Sequence, residues 1–396
     1  MNKFSFILVV SLLTGAVEVD LSVPSFPDIS DYFSISDTLT QMTIAVNFLG
    51  FCLSSAFYGP ISDSYGRRRV MIVGNGIMLV GALGCVVADS IGVLLFFRFI
   101  QGVGASASAV VAFAMISDIY CVEKSTKIIG AMNSLITVFM SIAPVAGGVI
   151  NEYAGWRGNY IVIAVISVIS WLMLFVWLPE TREERNKFSH RAIMKDFKTL
   201  LSNGKFLVAS TVPSLYFSGW MSFVACGSFI YIEEFGLHIM HYVVHQAIII
   251  FTFSLASLCA GQILQNIGEK RCILLGVVFT ILGSLLMIAA SSVLQKSPYL
   301  TSFSMMMYGI GAAVSYPVIF SKSLEIFPEI KGTASSVIMA MRSLICATSV
   351  AISSYFYVGE LISVATILLS ISALITMLSI SLLKTLAFDT KNLSLI

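Results

Sequence analysis

Four ionisable side chains interrupt long apolar stretches of the sequence: Glu18, Asp20, Arg98 and Arg342. A charged group in apolar surroundings costs several kcal/mol unless it is paired or faces water. An acid and an arginine at the same depth can exchange a proton with their surroundings. A nearby arginine favours the carboxylate, and its removal favours the protonated acid. These residues therefore point to proton binding and release in a buried environment.

The elements that carry these residues are those of an integral membrane protein. Of the 396 residues, 57% are hydrophobic and only 11% are charged, which lies outside the range of soluble domains. About 20 apolar residues span a bilayer as a helix, and spanning β-strands would alternate polar with apolar residues, which these stretches do not. We therefore predict an all-α membrane protein with twelve transmembrane helices in two six-helix bundles. The predicted spans lie near residues 5–27, 39–60, 70–88, 92–117, 128–150, 159–178, 206–231, 242–265, 272–294, 298–321, 334–356 and 360–383.

The basic residues are distributed unequally between the two sides of the predicted membrane. Of the 23 Lys and Arg residues, 19 lie in loops on the side that holds both termini, against only Arg157 and Lys296 on the other side. Short loops rich in Lys and Arg stay in the cytoplasm. We expect both termini to be cytoplasmic, in a cell or inner membrane. The net charge of +2 reflects this topology and gives no sign of nucleic-acid binding.

A polar connection divides the chain into two parts with six predicted spans each. We expect residues 1–178 and 206–396 to form one bundle each. Residues 179–205 form a cytoplasmic linker, with a short amphipathic helix around Ala192 to Leu201.

The two parts resemble each other in sequence. With an offset of 202 residues, "GPISDSYGRRR" at 59–69 aligns with "GQILQNIGEKR" at 261–271. Each stretch follows the second span of its half, and a repeat at this distance predicts a duplicated six-helix unit.

The first copy of this stretch contains residues that topology alone does not require. Gly59 and Gly66 suit a close approach and a sharp turn between two long helices. Arg67 and Arg68 hold the loop at the cytoplasmic face. Asp63 can pair with these arginines or with the positive N-terminus of a neighbouring helix.

These five residues resemble the G-x-x-x-D-x-x-G-R-R signature of the major facilitator superfamily. Two more stretches are similar to motifs of its proton-coupled drug exporters. They are "RFIQGVGAS" at 98–106 and "APVAGG" at 143–148, which contains Pro144, Gly147 and Gly148 but has Ala143 where those exporters usually have Gly. "DLSVPSFPDI" at 20–29 and "GTASS" at 332–336 resemble the bicyclomycin-resistance branch.

The resemblance implies a transporter that alternates between two open states. Asp63 is then a gate residue that bonds across to the helices of the other half and holds the cytoplasmic side closed. The second copy has Gln265 in place of this Asp and Glu269 in place of the first Arg. We expect the N-terminal half to carry the switch. The implied partners are a small-molecule substrate, protons and the lipid bilayer, and we expect a monomer without cofactor, metal or nucleic acid.

Depth along the helices relates the buried acids to Arg98. Asp20 and Arg98 each lie about six residues from the outer end of their spans, roughly 9 Å deep. Helices one and four both line the central cavity in the superfamily, so we expect Asp20 to pair with Arg98 and to carry the proton. Glu18 is buried equally but lies roughly 200° around the helix, so both acids cannot face one partner. Glu18 remains a competing carrier.

Arg342 lies about eight residues inside the eleventh span and has no obvious acidic partner in its half. It reaches an acid of the first half, extends towards the cytoplasm, or meets an anionic group of the substrate.

Tyr216 and Trp220 of the seventh span either line a substrate cavity or pack against neighbouring helices. His241 and His245 share a face of the eighth span, but they are too few ligands for a metal site.

No motif for enzymatic catalysis is present: the sequence has no H-E-x-x-H, nucleophile elbow or P-loop. We therefore predict a protein that is not an enzyme and that draws its energy from a gradient. Two functions remain open. One is proton-driven export of drug-like or amphipathic compounds. The other is proton-coupled import, or facilitated passage, of a nutrient, siderophore or other anionic or zwitterionic metabolite.

The charge distribution predicts that Ser202 is accessible only from inside the cell. In a cysteine-free background, a membrane-impermeant maleimide should leave Ser202→Cys unlabelled in intact cells and label it after permeabilisation. Asp89→Cys, in a predicted outer loop, should be labelled in intact cells. Labelling of the Ser202 variant from outside would contradict the predicted orientation.

Overall fold

The computed structural model describes residues 3–182, 190–292 and 296–385, and the regular structure within these ranges is entirely helical. The helices are α1 (Lys3–Ser22), α2 (Phe26–Phe33), α3 (Asp37–Tyr65), α4 (Arg67–Val86), α5 (Ile91–Ile119), α6 (Val122–Trp177), α7 (His190–Leu201), α8 (Gly204–Phe229), α9 (Ile239–Ile267), α10 (Glu269–Ser292), α11 (Pro298–Glu325), α12 (Lys331–Phe356) and α13 (Leu361–Thr385).

These helices supply the twelve predicted spans. The described residues contain 11 segments long and apolar enough to cross a membrane, and one of them, Ile128–Trp177, is 50 residues long. This segment covers two spans because Gly155 breaks α6 with a non-helical φ of 68° and ψ of 179°. Helices α1 and α2 form one bent span around a 3-10 turn, Val23–Ser25, that contains Pro24. The predicted all-α membrane fold is confirmed.

The chain forms two bundles, α1–α6 (the first half) and α8–α13 (the second half). Two helix pairs make the main contacts between the halves, α3 with α12 and α6 with α9. Helix α7 corresponds to the amphipathic helix predicted in the linker, and its Leu200 is buried against Phe206, Ala334 and Ile338 of the second half. Residues 183–189 of the predicted linker lie outside the described residues.

The two ends of the bundles differ in how the halves meet. We call the end that carries α7 the linker face; there the ammonium of Lys3 lies 4.5 Å from the centre of the Trp177 ring. At the other end, the opposite face, the Phe26 ring of the first half lies 6.5 Å from Phe229 of the second. Thr38 also donates a hydrogen bond of 3.1 Å to the carbonyl of Ser354. The halves are therefore closed against each other at the opposite face.

The linker face contains a cleft between the halves. Its volume is about 500 Å³, and its lining includes Asp63 and Phe113 of the first half and Thr333 and Met339 of the second. The structure therefore has the halves together at the opposite face and apart at the linker face.

The loop between α10 and α11 is fastened at the opposite face. Lys296 lies 3.0 Å from an oxygen of Glu234, at the end of the seventh span. The hydrogen bond and the charge of Glu234 raise the pKa of Lys296. The other oxygen of Glu234 accepts a 2.7 Å hydrogen bond from the backbone N–H of Leu361, so one carboxylate joins three connections of the second half.

Candidate functional site

Arg98 is the most enclosed charge described in the first half, with none of its side chain exposed. One guanidinium nitrogen donates to Gln101 at 3.1 Å and the other to Ser22 at 3.3 Å. The guanidinium also lies 3.8 Å from a carboxylate oxygen of Glu18. A buried charge requires such compensation, because breaking a buried ion pair costs about 3–5 kcal/mol.

Glu18 is held in place from a second direction. The amide of Asn47 on α3 donates 3.0 Å to Glu18 and 3.2 Å to the backbone carbonyl of Arg98. Asn47 thus orients both members of the ion pair, and all the groups involved belong to the first half. Asn47 was not predicted from the sequence, although an amide in the middle of an apolar span was a signal for such a role.

Asp20 does not pair with Arg98 in the structure, and the expected contact is corrected to Glu18. Glu18 and Ser22 are four residues apart, so they share the face of α1 that meets Arg98. Asp20 lies between them in sequence and therefore faces roughly 200° away from Glu18. The predicted face of α1 is therefore wrong for Asp20.

Asp20 faces the second half instead. It is 2% exposed, and neither of its carboxyl oxygens has a hydrogen-bond partner. The Val23–Ser25 turn that follows α1 contacts α9, and Tyr242 of α9 is buried in the same apolar core as Val19 and Leu21, the neighbours of Asp20. One acid therefore forms an ion pair inside the first half, and the other lies without a partner at the interface between the halves.

The predicted antiporter motif packs around this interface. A Cβ atom on Gly147 of α6 would overlap the backbone carbonyl of Leu21, directly after Asp20. A Cβ atom on Gly148 would meet the side chain of Val243, directly after Tyr242. The two glycines thus let α6 pack closely against α1, beside Asp20, and against α9, beside Tyr242. This packing keeps water away from the acid.

The predicted gating loop is built around two arginines. Gly66 connects α3 to α4 with a φ of 101°, which L side chains rarely adopt. Arg67 is buried and lies 2.7 Å from Asp63 and 3.0 Å from Asp118. Arg68 donates two hydrogen bonds of 2.7 Å to the carbonyls of Phe175 and Leu178 at the end of α6. The arginines therefore join α4 to three other helices of the first half, α3, α5 and α6.

Asp63 does not bond across to the second half in this conformation, contrary to the expectation from the resemblance. Its ion pairs are with Arg67 and with Arg182, at 2.7 and 3.1 Å, both in the first half or the linker. It lines the cleft that also contains Gly332 and Thr333 from the start of α12. Gly59, one turn earlier, lies against Ser336 of α12. Asp63 is thus placed beside the element it would bond when the cleft closes.

The second copy of the loop has the same backbone but reversed charges. Gly268 has a φ of 80° and separates α9 from α10, as Gly66 separates α3 from α4. Glu269 at the start of α10 lies 3.1 Å from Lys322 near the end of α11. In the first half the corresponding helix ends are joined by Arg67 and Asp118.

The structure separates the three predicted cavity residues. Tyr216 is buried in the core of the second half, and Trp220 packs 5.3 Å from Phe253 of α9, also within that half. Arg342 instead lies 4.8 Å over the ring of Phe217 and donates 3.3 Å to the hydroxyl of Tyr316. Adjacent helix residues point about 100° apart, which is why Phe217, and not Tyr216, faces the other half.

Phe217 also contacts the first half, since its ring lies 5.6 Å from Phe48 of α3. The Nε atom of Arg342 is buried without a hydrogen-bond partner. Tyr316 was not predicted from the sequence, because nothing in its residue type distinguishes it from the neighbouring aromatic residues.

A membrane protein with two six-helix halves, a cleft between them and a buried acid at their interface is a secondary transporter in its architecture. A model of the Major Facilitator Superfamily matches residues 6–350. The chain belongs to this superfamily, and the predicted resemblance is confirmed.

Similar proteins include several with names that refer to drug resistance. The bicyclomycin resistance protein homolog of Haemophilus influenzae is 26% identical over 355 residues, which cover 86% of each chain. The multidrug resistance protein MdtM of Escherichia coli strain K12 is 23% identical over 358 residues, covering 89% of this chain and 87% of MdtM.

Solved structures share the fold. The crystal structure of a D-xylose-proton symporter superposes with a TM-score of 0.79 at 16% identity, covering 96% of this chain and 97% of that one. The human organic anion transporter MFSD10 gives a TM-score of 0.69 at 16% identity, covering 96% and 99%. These two likenesses concern the fold alone.

The close approach of α6 to α1 predicts that Gly147→Ala is damaging. Because the added methyl group meets backbone rather than a movable side chain, the helices must separate, at a cost of about 1–3 kcal/mol. The melting temperature of the purified protein should fall, and transport should be lost. Gly92→Ala is the matched control, since nothing lies within 4 Å of its added Cβ. Equal behaviour of the two variants would contradict the packing argument.

Proposed function

We propose that the protein is a proton-coupled antiporter that exports drug-like or amphipathic small molecules by alternating access. The observation that carries this proposal is Asp20, a fully buried acid without a partner at the interface between the halves. Glu18 already compensates Arg98, so no described basic residue forms an ion pair with Asp20. An unpaired carboxylate so far from water is costly, and the group keeps its proton in this conformation.

Movement of the halves changes this balance. When α1 and α9 separate, water reaches Asp20, and the carboxylate becomes the favoured form. When they close, the proton is favoured again. An acid that alternates in this way between two protonation states couples proton movement to the conformational cycle. Glu18 is less suited, because its contacts lie within one half.

The direction of transport is supported by the motif around Asp20 and by the relatives. Gly147 and Gly148 belong to a stretch that resembles the antiporter motif, and similar proteins are named for resistance to bicyclomycin and to several drugs. The proposed location is the inner membrane with both termini in the cytoplasm. The linker face is then the cytoplasmic face, and the proposed working unit is a monomer.

Arg342 favours a second candidate function, the proton-coupled import or facilitated passage of an anionic or zwitterionic metabolite. Its guanidinium lies over Phe217 near the interface of the halves, and its Nε–H donor has no hydrogen-bond partner. A carboxylate of a substrate would satisfy that donor. The compounds that are transported decide between the two functions.

The exporter proposal predicts transport that depends on Asp20. In proteoliposomes with an imposed pH gradient, the protein should move at least one of chloramphenicol, bicyclomycin and ethidium, and neither D-xylose nor an organic anion. Asp20→Asn removes the titrating group with little change of volume, so pH-driven transport should fall by about a hundredfold or more. Binding should then depend less on pH. Glu18→Gln should reduce the rate less.

Two results would count against this assignment. If Asp20→Asn keeps full proton-driven transport while Glu18→Gln loses it, Glu18 is the carrier. If the wild-type protein moves only an organic anion or D-xylose, the second candidate function replaces export.

The gating loop predicts a different kind of defect for Asp63→Asn. This change removes two ion pairs at the linker face and the charge that faces the start of α12. The balance between the two open states should shift, so the transport rate should fall about tenfold, whereas binding of substrate to the solubilised protein should change less. Asp89→Asn, an exposed acid at the opposite face, is the control. Equal losses of binding and transport in the Asp63 variant would refute a gating role.

A further inference from the structure

A chain of hydrogen bonds crosses the second half near the opposite face. The Nδ1 atom of His245 on α9 lies 2.7 Å from the hydroxyl of Ser302 on α11. The same hydroxyl lies 2.6 Å from the hydroxyl of Tyr231. His245 is only half-buried and lies in the second turn of α9, near the opposite face. It belongs neither to the acid–arginine site nor to the gating loop.

Tyr231 lies in an unusual piece of backbone. The residues Ile230–Glu234 at the end of α8 form a π turn, a rare element that occurs frequently at functional sites. The side chain of Tyr231 is completely buried, and its ring centre lies 5.6 Å from that of Tyr242. The chain from His245 therefore leads inward to the tyrosine that faces Asp20.

The inner end of the chain consists of polar groups without partners. The hydroxyl of Tyr242, both carboxyl oxygens of Asp20 and the side-chain carbonyl of Gln246 are buried and make no hydrogen bond. Buried polar atoms are satisfied in most proteins, if not by protein then by water. Tyr242 and Gln246 are one turn apart on α9, so they face the same side. Four buried polar atoms on α1 and α9 are therefore left without a partner.

We propose that His245, Ser302, Tyr231 and Tyr242 form a relay that delivers protons from the opposite face to Asp20. A proton binds Nε2 of His245, and the proton on Nδ1 passes to Ser302. Ser302 gives its own proton to Tyr231, and Tyr231 gives its proton, through a bridging water, to Tyr242. The proton of the Tyr242 hydroxyl then joins the Asp20 carboxylate. Each hydroxyl and the water lose one proton and gain one. His245 ends neutral with its proton on Nε2 instead of Nδ1, and Asp20 has gained one proton that the solution has lost; exchange of the two ring protons with water resets His245. This relay rests on the proposed proton coupling.

The position of the last step explains how the relay avoids a leak. Every group up to Tyr242 belongs to the second half, and only the step to Asp20 crosses between the halves. Movement of the halves therefore makes and breaks the path. The cleft at the linker face does not include Asp20 in its lining, so the acid is closed to that side when the relay reaches it.

The groups around His245 are few and can be separated by mutation. His241 lies on the same helix, and the rings of Tyr231, directly after α8, and Tyr299, on α11, lie 5.2 and 5.3 Å from the His245 ring. His241 lies one turn away and is exposed. It offers a matched control, because no hydrogen bond joins its side chain to Ser302 among the described contacts.

The test compares proton-driven transport with substrate exchange, which moves no net proton. It uses whichever of chloramphenicol, bicyclomycin and ethidium the wild-type protein exports fastest. His245→Asn retains a group that can bond Ser302 but cannot relay a proton, and Tyr231→Phe removes only the hydroxyl. Both should slow proton-driven transport at least about tenfold with KM unchanged. Exchange should stay normal, and His241→Asn should match the wild type.

Chemical rescue separates a relay from a structural role. Imidazole added to the side of the opposite face should restore proton-driven transport to His245→Ala, because a free base can supply the proton to Ser302. Wild-type rates in His245→Asn, absence of rescue, or loss of exchange in all variants would overturn the relay and leave the proposed function in place. A wild-type protein without proton-driven transport would overturn both.

Discussion

The high cost of an uncompensated charge inside the membrane governs the organisation of this protein. Arg98 lies at the centre of the first half with no exposure, and it must have an anion beside it. Glu18 fills that place, and Asn47 fixes the geometry of the pair. Since α1 offers only one face to Arg98, Asp20 is excluded from the pair. Because Glu18 compensates the charge of Arg98, Asp20 remains without an ion-pair partner at the interface of the halves.

Close packing by glycine makes this isolation effective. Gly147 and Gly148 bring α6 against the backbone after Asp20 and the side chain after Tyr242, so that little room remains beside the acid. The same helix contacts both halves, and a movement of the halves must change its contacts. Tight packing in a membrane depends on small residues, because apolar side chains gain little by leaving lipid for protein. The glycines of the stretch that resembles the antiporter motif therefore allow α6 to pack closely beside Asp20.

The halves are duplicated in fold but differ in chemistry. Both contain a glycine with positive φ between their second and third spans and an ion pair between neighbouring helix ends. In the first half an arginine at the start of the third span pairs with an aspartate, and in the second half a glutamate pairs with a lysine. Within the loop itself, the first half has an acid at the cleft, Asp63, where the second half has Gln265. The buried acids lie in the first half, whereas the histidine and the tyrosines that lead towards Asp20 lie in the second.

Sequence alone determined the membrane fold, the number of spans and the superfamily. These features follow from composition, from the length of apolar segments and from a rise of 1.5 Å per residue, which are properties of single helices. Tertiary structure decided which acid meets Arg98, that Phe217 rather than Tyr216 faces the first half, and that His245 is joined to Tyr231 through Ser302. Each of these depends on the rotation of one helix against another. That rotation is set by side-chain packing between distant parts of the chain, so it cannot be inferred from the sequence periodicity of one helix.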